Sequence, residues 1–299
     1  MSAKTDAFYE KLTADLIKVM KTSGAHWDKP WQAIFGSLDF PMNAWTKKPY
    51  HGGNVMALWF TALAAGYETG VWGTYRQFAG MDGQVRKGEK GTVLVKWVIV
   101  YRCDQCHAKS DRGCGVKGHT NRRSMFPTVF SVFNVAQQDG YELPKPEEME
   151  DVDTDARAEA FIKATGADIT FRAQDRAFYQ TAADTITLPL RKQFKNSEGY
   201  YGTVLHELTH WTGHEARMDR QNKNPFGSLA YAAEELVAEF GGVFLAAHLG
   251  VRTSGHQDSA KYLKNWLEVL QDDSGKLFKA ASRAQKSTDY LIAEAEEAA

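Results

Sequence analysis

The sequence lacks the features of secreted, fibrous and membrane proteins. It has only three cysteines in 299 residues, all between positions 103 and 114. This small number argues against a framework of disulfide bonds. No apolar run reaches the roughly 18 residues that a bilayer span needs, and the first residues have no signal-peptide core. Hydrophobic residues make up 43% and charged residues 24%, which is a globular rather than a disordered or coiled-coil composition. We therefore expect a soluble, cytoplasmic protein with no membrane contact.

Net charge is also nearly absent, but its distribution is uneven. The formal net charge is −1, yet residues 1–140 hold 18 Lys and Arg against 11 Asp and Glu, and residues 141–299 hold 18 against 26. Six of the eight tryptophans fall in the basic half. Aromatic rings among cations are typical of surfaces that bind single-stranded nucleic acid, because bases stack on rings and phosphates pair with cations. The alternative is two ordinary domains that differ in charge.

The order of elements predicts an α+β chain of two domains. Residues 1–140 combine predicted helices at 6–21, 54–65 and 74–79 with strands at 92–101 and 125–135, as expected for an α+β nucleic-acid-binding domain. Residues 141–155 are rich in proline and acidic side chains, which predicts an exposed linker. Residues 156–299 form a mainly helical domain with a small sheet. Its helices are predicted at 156–165, 197–212, 229–249, 256–270 and 275–297, and its strands at 169–172, 178–180 and 185–188.

The sequence His206-Glu207-Leu208-Thr209-His210 is the strongest functional signal. On a helix, two histidines four residues apart share one face and can bind one tetrahedral metal ion. Glu207 follows the first histidine, where a carboxylate can act as general base on a metal-activated water. The motif predicts a metallopeptidase-like site that takes Zn²⁺, or another divalent ion such as Mn²⁺. Two surface histidines on an ordinary helix are the alternative.

A catalytic zinc takes a third protein ligand, and Glu235 is the candidate. The metzincin pattern would place a histidine at position 216, which is Ala216. Three glutamates lie in an otherwise apolar helix at 234–239, where a buried carboxylate is costly unless it is paired or binds a metal. We predict Glu235 as the third ligand of a gluzincin-type site, Glu239 as a partner that orients a histidine, and Glu234 as a solvated side chain. The alternative is an ordinary acidic surface stripe.

Candidate DNA-binding residues cluster in the basic half. Glycines allow the backbone to approach a ligand closely, and cations beside them can contact phosphates. The candidates are Lys47, Lys48, Tyr50 and Asn54 around the glycines at 52–53, Arg86, Lys87 and Lys90 on the turn-rich segment 83–91, and the rings of Trp45, Trp72 and Trp97. The alternatives are a solvated turn and buried tryptophans. The acidic C-terminal half is not expected to bind DNA itself.

The three cysteines have a spacing of their own. Cys103-x2-Cys106-x7-Cys114-x4-His119 offers three sulfurs and one imidazole within 17 residues, enough for a small second metal site of structural zinc. The spacing matches no common zinc finger. A hairpin loop with reduced thiols fits the basic, glycine-rich composition equally well, so both interpretations stay open.

Motifs in both halves resemble the ArdC family of plasmid-borne antirestriction proteins. The resemblance is carried by residues 27–31 (WDKPW), 41–54 (PMNAWTKKPYHGGN), 83–92 (GQVRKGEKGT), 132–135 (VFNV), 184–186 (DTI), 206–214 (HELTHWTGH) and 235–239 (ELVAE). It implies an N-terminal domain that binds single-stranded DNA and a C-terminal zincin-like metallopeptidase domain. It also implies a bacterial, plasmid-encoded protein that protects incoming conjugative DNA from host restriction, with a host restriction component or another protein as substrate.

Two alternatives to this hypothesis remain. One is a DNA-binding, shielding protein with a purely structural metal and no catalysis. The other is a metallopeptidase whose basic half binds an acidic protein. Glu207→Gln separates the first from an enzyme, and the salt dependence of oligonucleotide binding separates the second from a DNA binder.

Overall fold

The computed structural model describes residues 40–143, 154–220, 228–253 and 275–298, together with the isolated positions 10, 13, 14, 17 and 273. Three predicted features lie outside the described residues. They are most of the first helix at 6–21, the helix at 256–270, and positions 144–153 of the linker.

The N-terminal half is built on a five-stranded sheet with the order β1-β2-β6-β4-β5. Its strands are β1 (Met42–Asn43), β2 (Val71–Gly73), β4 (Thr92–Cys103), β5 (Lys109–Ser110) and β6 (Asn121–Asn134). A two-stranded sheet pairs β3 (Gln84–Val85) with β7 (Gln138–Asp139), next to a short 3-10 helix at Val135–Gln137. Two helices, α1 (Gly53–Ala65) and α2 (Tyr75–Ala79), complete this half.

Both helices lie within one residue of their predicted bounds at 54–65 and 74–79. Helix α1 stops at Gly66, whose φ of 68° is a left-handed conformation that glycine adopts without strain. Helix α2 begins after Thr74, whose side chain accepts a hydrogen bond from the Gln77 backbone N–H in a reciprocal capping box.

Strands β4 and β6 form a hairpin that is longer than predicted. All 12 residues of β4 pair with β6, from Thr92 opposite Val132 to Cys103 opposite Asn121. The second strand was predicted at 125–135, whereas β6 begins at Asn121 and includes the polar positions 121–124. The backbone ladder with β4 holds these residues extended despite their polarity. Among the described residues, none between 95 and 129 belongs to a hydrophobic cluster, and we call this outer part of the hairpin the arm.

The C-terminal half is mainly helical with a three-stranded sheet, as predicted. Its helices are α3 (Thr154–Ala164), α4 (Ser197–Trp211), α5 (Leu229–Leu249) and α6 (Gly275–Glu297). The sheet has the order β8-β10-β9, from strands β8 (Asp168–Arg172), β9 (Phe178–Gln180) and β10 (Thr185–Pro189). Strand β9 runs antiparallel to β10 on the sheet's edge.

One hydrophobic core joins the two halves. Trp59 of α1 packs against Phe244 of α5, with ring centroids 6.0 Å apart. The same cluster contains Leu236 and Phe240 of α5 and Leu277 of α6, all buried. A second cluster lies within the C-terminal half, among α3, α4, β10 and the ends of α5 and α6. Helix α5 is therefore central, with one face on the N-terminal half and another on α4. None of the helices in the described parts of the chain is both long enough and apolar enough to cross a bilayer.

Candidate metal centre and nucleic-acid interface

The two histidines of the motif lie on one buried face of α4. Asn196 caps the helix by accepting a hydrogen bond from the Gly199 backbone N–H at 2.9 Å. The His206 and His210 rings are one turn apart, with centroids separated by 4.8 Å. Because four residues make slightly more than one helical turn, both imidazoles point towards α5.

Glu235 of α5 lies between the two imidazoles. Its carboxylate oxygens are 3.6 Å from His206 Nε2 and 3.4 Å from His210 Nε2. Two ligand atoms bound to one tetrahedral ion at about 2.1 Å are about 3.4 Å apart. The three side chains therefore have the spacing and the N/O chemistry that a divalent metal requires, and they form one of the two such clusters among the described residues.

Two glycines bring α5 this close to α4. A Cβ atom on Gly242 would lie 3.2 Å from the His206 backbone nitrogen, and one on Gly241 would lie 2.4 Å from Thr209 Cγ2. A side chain at either position would push the helices apart and separate the carboxylate from the imidazoles. This role was not predicted from the sequence. The signal was available as a glycine pair inside a helix, where glycine is otherwise unfavourable.

Each imidazole has a second carboxylate near its other nitrogen. Glu239 Oε1 lies 3.8 Å from His206 Nδ1, and Glu234 Oε1 lies 3.8 Å from His210 Nδ1. Carboxylates in this position fix the ring orientation and tautomer of metal-binding histidines. Glu239 thus occupies the predicted place.

The prediction that Glu234 is solvated was wrong. Its carboxylate accepts a hydrogen bond from Arg220 Nε at 3.0 Å, and the Arg220 side chain is only 6% exposed. Arg220 also donates to the Thr209 carbonyl at 2.7 Å and to Ser287 Oγ at 2.9 Å. This guanidinium ties α4, α5 and α6 together behind His210. No sequence motif pointed to this residue, since Arg220 lies in the loop after α4.

Glu207 is buried beside the cluster, under the edge strand β9. Its carboxylate accepts a hydrogen bond from the Tyr179 backbone N–H. Burial is the largest influence and raises the pKa of Glu207, although the two imidazoles lower it. A carboxyl with a raised pKa beside a metal-binding set is suited to accept a proton and return it.

The carboxylates also change the basicity of His210. Burial lowers its pKa, but the charge of Glu235 and hydrogen bonds with Glu234 and Glu235 outweigh burial and raise the pKa to about 10. Glu235 shows the converse, because the imidazoles hold its pKa far below the usual value despite burial. The pocket therefore favours positive charge, which is also the environment that a cation requires.

An ion pair connects the edge strand to the end of α4. Arg217 donates to Asp184 at 3.0 Å and to the Trp211 carbonyl at 2.7 Å, and its guanidinium stacks 3.7 Å from the Trp211 ring centroid. Tyr179 donates its hydroxyl to Asp184 at 2.8 Å. Arg217 is the main reason that the pKa of Asp184 is lowered. These contacts hold β9 against the metal cluster.

Some of the predicted DNA-binding residues are exposed, whereas others are buried or bound to other residues of the chain. Trp45 and Trp97 are each 53% exposed, and Lys48, Lys87 and Lys90 are exposed as well. Trp72 is completely buried, so its prediction as a stacking ring was wrong.

Four further candidates already have protein partners. The Tyr50 ring is buried and its hydroxyl accepts a hydrogen bond from Asn43 Nδ2 at 2.9 Å. Asn54 donates to the Val95 carbonyl and accepts from the Val95 N–H, so its amide joins α1 to β4. Arg86 pairs with Glu89 and Asp139, and Lys47 donates to the Tyr141 hydroxyl. The Tyr50 ring is therefore closed to a ligand, contrary to prediction, whereas Asn54 is half-buried and keeps part of its surface open.

A groove between the halves offers a basic surface that the sequence analysis did not find. Its volume is about 640 Å³, and Trp97 lines it on the hairpin side. Arg283, Lys286 and Lys279 line it from α6, where Lys279 also pairs with Asp273 at 3.1 Å. These cations lie on one side of α6 because they are three, four and seven residues apart. The C-terminal half thus carries a local basic strip on α6, although its net charge is negative.

Cys103, Cys106, Cys114 and His119 also come together, at the tip of the arm. This is the second cluster of metal-binding side chains in the described parts of the chain, and it lies in the N-terminal half, apart from α4 and α5.

Comparisons with known proteins place recognisable domains in both halves. The N-terminal domain of anti-restriction factor ArdC matches residues 6–133, and a zincin-like metallopeptidase domain matches residues 156–283. An Escherichia coli DNA primase TraC is 40% identical over 291 residues, which cover 96% of this chain and 20% of the primase. The chain thus spans about a fifth of that relative. Uncharacterized protein y4eC of Sinorhizobium fredii is 35% identical over 97% of this chain and 93% of its own length.

Two solved structures agree over nearly the whole chain. Both are crystal structures of the antirestriction ArdC protein from plasmid R388. The metal-free one is 37% identical with a TM-score of 0.77 and covers 97% of this chain and 98% of that one. The Mn(II)-bound one is 36% identical with a TM-score of 0.74 and covers 96% and 97%. At this identity and coverage, the chain belongs to the ArdC family of antirestriction proteins.

Proposed function

We propose that this protein binds single-stranded DNA in the bacterial cytoplasm, protects incoming conjugative plasmid DNA from host restriction, and carries a peptidase-like site with a divalent metal. The observation that carries the metal assignment is the position of Glu235, 3.6 Å from His206 Nε2 and 3.4 Å from His210 Nε2. The Mn(II)-bound relative supports a divalent ion. A set of two nitrogen ligands and one oxygen ligand accepts Zn²⁺ as well as Mn²⁺.

The chemistry that these residues can perform is hydrolysis of a peptide bond. A divalent metal held by His206, His210 and Glu235 would supply Lewis acidity to a water and a carbonyl. Glu207 accepts the proton of the attacking water and delivers it to the leaving nitrogen. The edge strand β9 can align an extended peptide through main-chain hydrogen bonds.

Two substitutions test this assignment. His206→Ala should abolish metal binding at the α4–α5 site and so lower the metal content by one ion per chain, measured by mass spectrometry of the purified protein. Glu207→Gln should keep the fold and the metal, because Glu207 is not a ligand, and should slow cleavage of an unfolded polypeptide such as casein by about 10²- to 10⁴-fold. If Glu207→Gln retains full protection of conjugative DNA in cells, the protein acts as a DNA-binding shield and the peptidase assignment is wrong.

DNA binding is assigned to the groove between the arm and α6. Trp97 supplies an exposed ring for base stacking, and Arg283 and Lys286 supply cations for the phosphates. Base stacking on an aromatic side chain contributes about 1–3 kcal/mol per base. Trp97→Ala should therefore weaken binding of a short single-stranded oligonucleotide by about 5- to 150-fold.

Salt titration tests the phosphate contacts. Binding of single strands weakens with a log–log slope of about −0.7 per neutralised phosphate. The double variant Arg283→Ala, Lys286→Ala should therefore reduce the slope by about 1.4. A control that replaces the exposed Lys163 and Lys192, which lie outside the groove, should leave it unchanged. If the wild-type chain binds no oligonucleotide at low salt, the basic half instead serves an acidic protein.

A further inference from the structure

We propose that Cys103, Cys106, Cys114 and His119 hold a second, structural zinc ion at the tip of the arm. The nearest ligand atoms of the four side chains lie within 4.8 Å of one another. Three sulfurs and one imidazole form a closed four-ligand set, the composition of structural rather than catalytic zinc sites.

The distances within the cluster agree with a tetrahedral ion. His119 Nδ1 lies 3.3 Å from Cys103 Sγ and 3.6 Å from Cys114 Sγ. A sulfur at about 2.3 Å and a nitrogen at about 2.1 Å from one tetrahedral zinc are about 3.6 Å apart. The Cys106 backbone N–H also points at Cys103 Sγ, at 3.4 Å, and an N–H donor favours the thiolate that a metal needs. All three cysteines are free thiols.

The local backbone is shaped to bring the four residues together. Cys103 is the last residue of β4, and Cys106 follows in the adjoining turn. Cys114 and His119 lie on the return path to β6, where Gly113 and Gly118 have φ values of 88° and 85°. Asn121 accepts a hydrogen bond from the Cys114 N–H at 3.0 Å. The chain thus doubles back over Cys103 through conformations that favour glycine.

The tip needs such an ion because it has almost no core. Cys103 is buried, whereas Cys106 and most residues from 104 to 120 are exposed, including Val116. This turn-rich segment belongs to none of the hydrophobic clusters among the described residues. It therefore buries little apolar surface to offset the conformational entropy that is lost when it becomes ordered. A metal can supply that energy in a small segment.

Cobalt substitution of the full-length protein tests the site. Only the tip cluster has sulfur ligands, so Co²⁺ bound there should give the sulfur-to-metal charge-transfer absorption of a thiolate site, which the α4–α5 cluster cannot produce. His206→Ala should keep this absorption. The double variant Cys106→Ser, Cys114→Ser should lose it.

Metal content gives a second readout that is independent of catalysis. Wild-type protein purified with zinc should hold about two ions per chain, and each variant about one. Absence of a thiolate–cobalt band in the wild-type protein would overturn the proposal, whatever the behaviour of the cysteine variants. Equal metal content in the wild type and the cysteine variant would overturn it as well. Neither result depends on whether the α4–α5 site binds metal or cleaves peptides.

Discussion

The two clusters of metal-binding side chains are built in opposite ways. His206, His210 and Glu235 lie in a packed interface between two long helices, where hydrophobic contacts and Arg220 hold them in place. The cysteine cluster lies at the tip of the arm, outside the hydrophobic clusters that the described residues form. A site placed by its core keeps its geometry without an ion and can leave a coordination position for substrate. A metal ion that takes the place of a hydrophobic core must have all its coordination positions filled by protein ligands. Such a site has no open position for a substrate and acts only in stabilising the structure.

Removal of metal should distinguish the two sites most strongly. With a chelator, the backbone amides of residues 103–121 should lose protection against hydrogen exchange, because binding of structural zinc contributes about 10–16 kcal/mol in small zinc peptides. Helices α4 and α5 should keep their protection. Equal loss at both sites, or none at the tip, would contradict the comparison.

Loss of a buried ion-pair partner at the α4–α5 site should lower the free energy of unfolding far more than loss of an exposed ion-pair partner at the tip of the arm. Arg220→Ala leaves Glu234 as a buried carboxylate without its guanidinium and should lower the free energy of unfolding by about 3–5 kcal/mol. Arg122→Ala breaks an exposed pair with Asp104 at the tip and should cost about 0–1 kcal/mol. Denaturant unfolding of the two variants measures the difference. Similar losses would show that Arg220 does not hold the helical site.

The close approach of α4 and α5 can be tested at one glycine. In Gly242→Ala, the new Cβ atom would lie 3.2 Å from the His206 backbone nitrogen. The helices should move apart by a few tenths of an ångström, at a cost of about 1–3 kcal/mol in stability. Metal affinity, measured by chelator competition, should fall with it, whereas the cobalt–thiolate band of the tip should not change. A variant that binds metal as tightly as the wild type would refute the role of this contact.

The smallest expected effect is the number of protons that the α4–α5 site releases when it binds metal. His210 has its pKa raised to about 10, so it is protonated at pH 8 in the chain without metal. Because the pKa is raised, protonated His210 stabilises the folded chain without metal. This stabilisation is complete below the usual pKa of histidine and disappears as pH rises through about 10. Metal binding should therefore release about one proton. Calorimetry in buffers of different ionisation enthalpy measures this number, and a heat independent of the buffer would contradict it.

Local sequence signals predicted the described helices well, and they pointed to the three side chains that the fold brings together at 206, 210 and 235. The bounds of α5 and α6 agree with the prediction, because α5 has clear start and stop signals in Ser228 and Gly250 and both helices have a regular pattern. The histidine pair follows from helical spacing alone. Glu235 was found because a carboxylate in an apolar helix demands a partner.

Features that depend on tertiary contacts were not predicted. Trp72 looks like Trp97 in sequence, yet it is buried in the hydrophobic cluster that also contains α1, whereas Trp97 lies on the arm beyond the core. Glu234 could not be separated from a solvated glutamate without knowing that Arg220 reaches it. The net charge of the C-terminal half concealed the cations on α6, since a sum over 159 residues carries no information about one helix face.

Anomalous diffraction from crystals grown with Mn²⁺ or Zn²⁺ would locate the metal ion itself. We expect a peak about 2.0–2.3 Å from His206 Nε2, His210 Nε2 and a Glu235 oxygen. Glu207→Gln should preserve this peak, and His206→Ala should remove it. A metal-loaded crystal without a peak between these three side chains would contradict the assignment of the metal centre.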